Sequence, residues 1–193
     1  EVVKLTSGQL AGFRNKIING SMRVAQRGAT FAAVASDTYT LDRWRFGLAG
    51  TTSVGTITQS TDVPATGGFS YSLRYAVTAA DATIGGADQA NIAHFIEGHN
   101  VRDLVGETFT FSFWVRSSVT GVNCVSFRNG AGNRSYVAEY LITAANTWEY
   151  KTITVTNGID STGTWDWTSG LGLQVVFALA IHSGLQTIAG TWQ

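Results

Sequence analysis

Twelve residues near the middle of the chain, ETFTFSFWVRSS from Glu107 to Ser118, alternate so strictly that they constrain the fold class. Phe109, Phe111, Phe113 and Val115 fall on one side of a period-two pattern, and Thr108, Thr110, Ser112, Trp114 and Arg116 on the other. Successive side chains of a strand point to opposite faces, so this segment reads as a strand with an apolar core face and a polar face carrying one tryptophan. The pattern recurs in FSYSLRYAVT (Phe69 to Thr78) and LGLQVVFALAI (Leu171 to Ile181), and more weakly in GTITQS, NIAHFIEG, VNCVSFRNG, SYVAEYLIT and WEYKTITVT. Twenty-two glycines against one proline supply turns between these runs. The expected fold is all-β, a two-sheet sandwich or barrel of about eight to ten antiparallel strands. TAADATIGGADQ, Thr78 to Gln89, breaks the pattern and is expected as a short helix or a long loop.

A chain of 193 residues with 44% hydrophobic content has enough apolar surface for one continuous core. The domain is expected over residues 15–193, and EVVKLTSGQLAGFR at residues 1–14 reads as a connecting arm. Thirteen basic and thirteen acidic residues cancel, which argues against nucleic acid or an anionic membrane as partner. Residues 1–45 nevertheless hold seven basic and three acidic residues, a local excess of four. Such a segment either meets an acidic neighbour or pairs with the chain's own carboxylates. Cys124 is the single cysteine, so no intrachain disulfide and no cysteine-based zinc site is expected. No apolar run approaches the roughly 20 residues of a membrane helix, and no membrane insertion is expected.

NKIINGSMRVAQRG, Asn15 to Gly28, combines an Asn-Gly turn signal with apolar residues and reads as the first strand, with Ile17, Ile18, Met22 and Val24 packed in the core. Together with YTLDRWRF, IEGHN, FTFSFWVRSS and NTWEYKTITV, this run resembles the carbohydrate-binding-module-like jelly-roll domains of phage tail fibre and other virion attachment proteins. The blocks that carry the resemblance cover most of residues 12–193. It implies a jelly-roll β-sandwich, a location on the virion in a tail fibre, spike or capsid surface, and attachment to host cell-surface polysaccharide. It further implies other virion proteins as partners and a homotrimeric assembly. Members usually continue past the Thr-Trp segment into a further strand pair, which is not found before Gln193. The last jelly-roll strand is therefore expected beyond residue 193, from another chain, or not at all.

Neutral sugars stack their C–H faces on aromatic rings while amides, carboxylates and arginines bond their hydroxyls. Three places carry that combination. In STGTWDWTSG, Trp165 and Trp167 share a face if the backbone is extended, with Asp160 and Asp166 beside them; they either contact sugar or anchor the loop. Trp114 either lines a groove or packs beneath a neighbouring loop or subunit. Arg134, in FRNGAGNRSY, belongs to a hairpin turn and is a ligand candidate through its guanidinium. The ligand-binding expectation therefore names Trp165, Trp167, Asp166, Trp114 and Arg134.

Catalytic signals are weak. His94 and His99 are five residues apart, an odd spacing that puts them on opposite faces of a strand, and His182 stands alone. Asp160, Asp166, Glu97 and Asp103 are glycosidase candidates by residue type alone. Ser21, Met22 and Arg23 occupy the place where related sugar-binding jelly rolls carry acidic calcium ligands. No metal or cofactor is expected, and the chain reads as non-enzymatic. A structural decoration or fibre-assembly domain without a glycan ligand is the alternative.

Overall fold

The structure is a computed structural model that describes residues 15–193; the expected arm at residues 1–14 lies outside the described residues. Its strands are β1 (Thr30–Phe31), β2 (Thr38–Tyr39), β3 (Trp44–Ala49), β4 (Val54–Ser60), β5 (Ser72–Ala79), β6 (Gln89–Glu97), β7 (Phe109–Val115), β8 (Gly121–Asn129), β9 (Ser135–Ile142), β10 (Glu149–Val155) and β11 (Leu171–Ile181). The one α-helix among the described residues, α1 (Gly98–Val101), is a single turn that follows β6 directly. All strand pairs are antiparallel. One sheet has six strands in the order β2-β3-β6-β11-β8-β9; facing it are a three-stranded sheet, β1-β4-β5, and a two-stranded sheet, β10-β7. This is an all-β sandwich, and its nine strands of six or more residues fall within the expected number.

The core follows the alternation read from the sequence. Phe109, Phe111 and Phe113 of β7 pack edge-on or tilted against Phe127 of β8 and Phe177 of β11 at centroid separations of 5.0–6.0 Å. Ile153 and Val155 of β10 join them in one cluster with Val125, Leu173 and Val175. A second cluster places Ile57, Leu73 and Tyr75 of the three-stranded sheet on Trp44, Phe46 and Ile92, and Phe177 touches both clusters. In β11 Leu173, Val175 and Val176 are all buried, as befits a central strand flanked on both edges by β6 and β8. The alternation of FSYSLRYAVT ends early: Tyr75 is in the core, but Val77 is 57% exposed. The stretch between β5 and β6 is a long loop, held where Asp81 accepts hydrogen bonds from Thr51, Thr52 and Thr83.

Asn15–Gly28 corrects the first-strand expectation, because it contains turns and no strand. The reason lies in Asn19, whose amide nitrogen donates to Val24 O and Asp42 O (both 2.9 Å) while its Oδ1 accepts Val24 N–H (3.0 Å). The side chain thus satisfies backbone groups that a ladder would otherwise pair. Asn19 and Met22 both adopt positive φ of 56°, which no strand tolerates. Ile17 and Met22 reach the core, whereas Ile18 and Val24 are 38% and 44% exposed. Two charges of the basic excess meet carboxylates from outside the segment, as Lys16 pairs with Asp103 (2.7 Å) and Arg43 with Glu97 (2.8 Å); within it Arg27 pairs with Asp42 (3.6 Å) and Arg45 with Asp37.

The final residues run along the outer edge of β9. Gly190 N–H donates to Val137 O (2.8 Å), and Ser135 and Gln193 exchange backbone hydrogen bonds of 2.9 and 3.0 Å. This segment covers a sheet edge that would otherwise present unpaired backbone groups. Among the described residues no helix is long and apolar enough to cross a membrane.

Candidate functional site

The loop between β10 and β11 is fastened to the sandwich on two sides. On one side, the fully buried amide of Asn129 donates to Thr164 O (2.9 Å), and Asn133 bonds both the backbone N–H (3.2 Å) and the hydroxyl (3.2 Å) of Thr164. Arg134 pairs with Asp160 there, each side chain about one-fifth exposed. On the other side, Gly98 N–H donates to Gly170 O (3.0 Å) and His99 N–H to Thr168 O (2.8 Å). Gly98 is required at this approach, since a Cβ would overlap the carbonyl of Asp166. The loop's backbone groups therefore find partners without regular secondary structure, which fixes its shape.

Trp165 and Trp167 stack with ring centroids 5.1 Å apart and planes 13° from parallel, on the common side their two-residue spacing predicted. Trp192, from the segment along β9, meets Trp165 edge-on at 5.7 Å and donates from Nε1 to Gly158 O (2.9 Å). Trp165 is held between two other indoles and is further fixed by its own Nε1–H to Thr162 O (2.7 Å). Trp167 is the outer member of the stack. The partly buried rings line an open groove of about 670 Å³ together with Gly130, Asp166, Thr168 and Leu171.

Asp166 lies in this groove with its carboxylate turned onto its own loop. Thr168 donates to Oδ1 from its hydroxyl (2.6 Å) and N–H (2.7 Å), and these bonds, with one from Gly170 N–H, hold the carboxyl below the usual range. Three donors leave a carboxylate with remaining acceptor capacity for a hydroxyl. Arg134, likewise expected as a ligand contact, is held in an ion pair. Its guanidinium is engaged by Asp160, and its Nε is buried without a partner, so its position is that of a loop anchor.

Trp114 stands apart from the tryptophan loop. It faces outward on the two-stranded sheet, paired in register with Tyr150, and the two rings meet at 5.3 Å. Tyr150 is 55% exposed. At the end of this strip Asp62 accepts from Trp148 Nε1 (3.0 Å) and pairs with Arg116. Trp192 and Tyr150 escaped the sequence reading for different reasons. The edge pairing that brings Trp192 to Trp165 is long-range, whereas Tyr150 was legible in WEYKTITVT, where Trp148, Tyr150, Thr152 and Thr154 share one parity.

The carboxyls of Asp160, Asp166 and Glu97 are shifted in the same direction. Partial burial raises the Asp160 carboxyl, but the bonds from Arg134 and Thr162 outweigh it, and the net shift is downward. Burial likewise raises Glu97, and its own backbone N–H, Arg43 and Asn100 together bring it below the usual range. His94 is fully buried in β6, while His99 Nδ1 lies 3.0 Å from Thr168 O; the two do not converge. Among the described residues no group of three His, Cys, Asp or Glu side chains is placed to hold a metal. No protein-family model matches the chain, and no curated protein matches it.

Proposed function

We propose that the protein is a non-enzymatic carbohydrate-binding module, working in attachment of a phage-like virion to polysaccharide on the host cell surface. The virion setting, the jelly-roll path and a homotrimeric fibre or spike rest on the resemblance of the sequence blocks. The observation that carries the binding function is the pre-ordered tryptophan stack, with Trp167 as its outer ring beside Asp166 and Thr168 in an open groove. A ring held by its neighbours loses little freedom on binding, so stacking a sugar face on Trp167 is not offset by ordering the loop. Hydroxyls on that sugar find Asp166 as acceptor. The lowered Asp160, Asp166 and Glu97 carboxyls favour binding over hydrolysis, because a glycosidase's general acid needs its proton retained near neutral pH.

Immobilised capsular and O-chain polysaccharides from bacterial surfaces test this by biolayer interferometry. Wild-type protein is expected to bind at least one of them, and Trp167→Ala to weaken that binding at least tenfold with an unchanged far-ultraviolet circular dichroism spectrum. Equal binding by the variant, or release of reducing sugar by the wild type, overturns the reading.

One observation favours the alternative, a structural or fibre-assembly domain. Trp114 and the exposed Tyr150 form an aromatic strip on one face of the two-stranded sheet, the kind of surface that copies of a chain bury between them. Light scattering separates the two: a trimer that dissociates in Trp114→Ala assigns that strip to assembly.

A further inference from the structure

A second groove adjoins the first across Leu171. It is about 210 Å³ in volume, and Tyr39, Arg43, Phe95, Glu97, Ser169 and Leu171 form its walls. Leu171 lines both grooves, and the backbone from Asp166 to Leu171 forms the ridge between them. Glu97 pairs with Leu171 in register on β6, and Gly130 follows β8, so the two grooves flank β11. Strands on either side of a common neighbour are about 10 Å apart. The ridge is tied down by Gly98 N–H to Gly170 O and His99 N–H to Thr168 O.

This groove has the chemistry of a neutral-sugar site. Tyr39 is 40% exposed and meets Phe95 edge-on at 6.2 Å. Arg43 donates to Phe95 O (2.9 Å) and pairs with Glu97 (2.8 Å), whose other oxygen accepts from Asn100 (3.1 Å). Arg45 covers the Phe95 ring at 5.2 Å and pairs with Asp37; Arg27 lies 5.7 Å from the Tyr39 ring and faces Asp42. Three cations thus meet three anions. An uncharged ligand keeps these pairs intact and bonds to the donors and acceptors left at their edges, whereas an anionic sugar must compete with Asp37, Asp42 and Glu97 for the same guanidiniums.

We propose that the Tyr39–Glu97 groove is a second carbohydrate subsite continuous with the tryptophan groove, and that the ligand is an internal segment of an uncharged polysaccharide lying across Leu171. This rests on the carbohydrate-binding reading above and adds chain length and charge to it. Tyr39 supplies the stacking surface, Arg43 and Glu97 the hydroxyl contacts, and Trp167 the neighbouring unit's platform.

Size-fractionated neutral oligosaccharides of the gluco-, galacto- and manno-series, together with a uronic-acid series, are titrated by calorimetry against the whole chain. Affinity is expected to rise with length in one neutral series and to exceed that for acidic chains of the same length. Tyr39→Ala is expected to lower long-chain affinity roughly three- to tenfold, the range of one aromatic contact, and to leave the shortest bound oligosaccharide unaffected. Ser169→Leu, an exposed loop substitution that fills the groove without touching the core, is expected to do the same. Affinity independent of length, preference for the acidic series, or long-chain affinity unchanged in Ser169→Leu overturns the second subsite while leaving the tryptophan groove as a sugar site. Absence of binding by the wild type to every series and to the immobilised polysaccharides overturns both.

Discussion

The carbonyl of Ile18 accepts a 2.9 Å hydrogen bond from Nε2 of His94, a ring that is fully buried against Trp44 at a centroid distance of 5.1 Å. A carbonyl only accepts, so the neutral ring carries its proton on Nε2, and Nδ1 is left buried without a partner. Adding a second proton would bury a charge there. Burial therefore pulls the imidazole down to about 4; the bond to Ile18 O opposes it in part, and Arg43 (downward) and Glu97 (upward) add smaller effects. In the unfolded chain the ring titrates near its ordinary value of 6.5, so between pH 6.5 and 4 the unfolded state holds the additional proton. Stability is expected to fall as pH drops through that window, by on the order of 3 kcal/mol in total. Asp81 and Glu149, held at about 2, lose their contributions only at lower pH. Thermal melts of wild type and His94→Gln from pH 7 to 4 check this. The glutamine amide retains a donor toward Ile18 O and does not titrate, so the variant's pH dependence is expected to be shallower; parallel curves would remove His94 as the cause.

Arg134 and Asp160 form a partly buried ion pair that ties the β8–β9 hairpin to the tryptophan loop. Removing either partner leaves the other poorly solvated, so Arg134→Ala and Asp160→Asn are each expected to lower stability by about 2 kcal/mol. Their double variant is expected to cost less than the sum, a coupling of about 1 kcal/mol or more in urea denaturation. Additive losses would show that the two side chains act separately.

The parts of the fold that were legible in sequence are those where one residue's environment is set by its immediate neighbours. The phenylalanines of β7 alternate because one face of that strand meets Phe127 and Phe177, and two-residue spacing was enough to stack Trp165 on Trp167. Asn15–Gly28 defeated the same logic, since its apolar residues and Asn-Gly pair look alike in a strand and in a turn. What decides between them is the set of bonds Asn19 makes to Val24 and to the distant Asp42 carbonyl. The second groove was illegible for a related reason. Tyr39 comes beside Phe95 through the β2–β3 and β3–β6 pairings, a neighbourhood created by register across more than fifty residues.

Gly98 sets the distance between α1 and the tryptophan loop. A methyl group at this position collides with backbone of Asp166, and one added at Gly172 would in turn collide with the backbone of Gly98; because the colliding atoms are backbone, no side-chain rotation relieves the overlap. Gly98→Ala is expected to cost about 2 kcal/mol or more and to lower the melting temperature by several degrees. Because the displaced segment carries Trp167, near-ultraviolet circular dichroism is expected to change with it. A variant as stable as wild type would mean that the loop moves aside at little cost.

Trp192 is the remaining support of the stack, and its two contributions can be separated. Trp192→Phe keeps a ring against Trp165 and Tyr136 but removes the Nε1 donor to Gly158 O, for an expected loss of about 1 kcal/mol. Trp192→Ala also removes the half-buried ring and is expected to cost about 2–3 kcal/mol. The two differ further in what they do to Trp165. With a phenyl ring in place the coupled indole signal of Trp165 and Trp167 in circular dichroism is expected to persist, and with alanine to diminish as Trp165 gains freedom. Equal signals in both variants would show that the Thr162 and Asn129 tethers alone hold the stack.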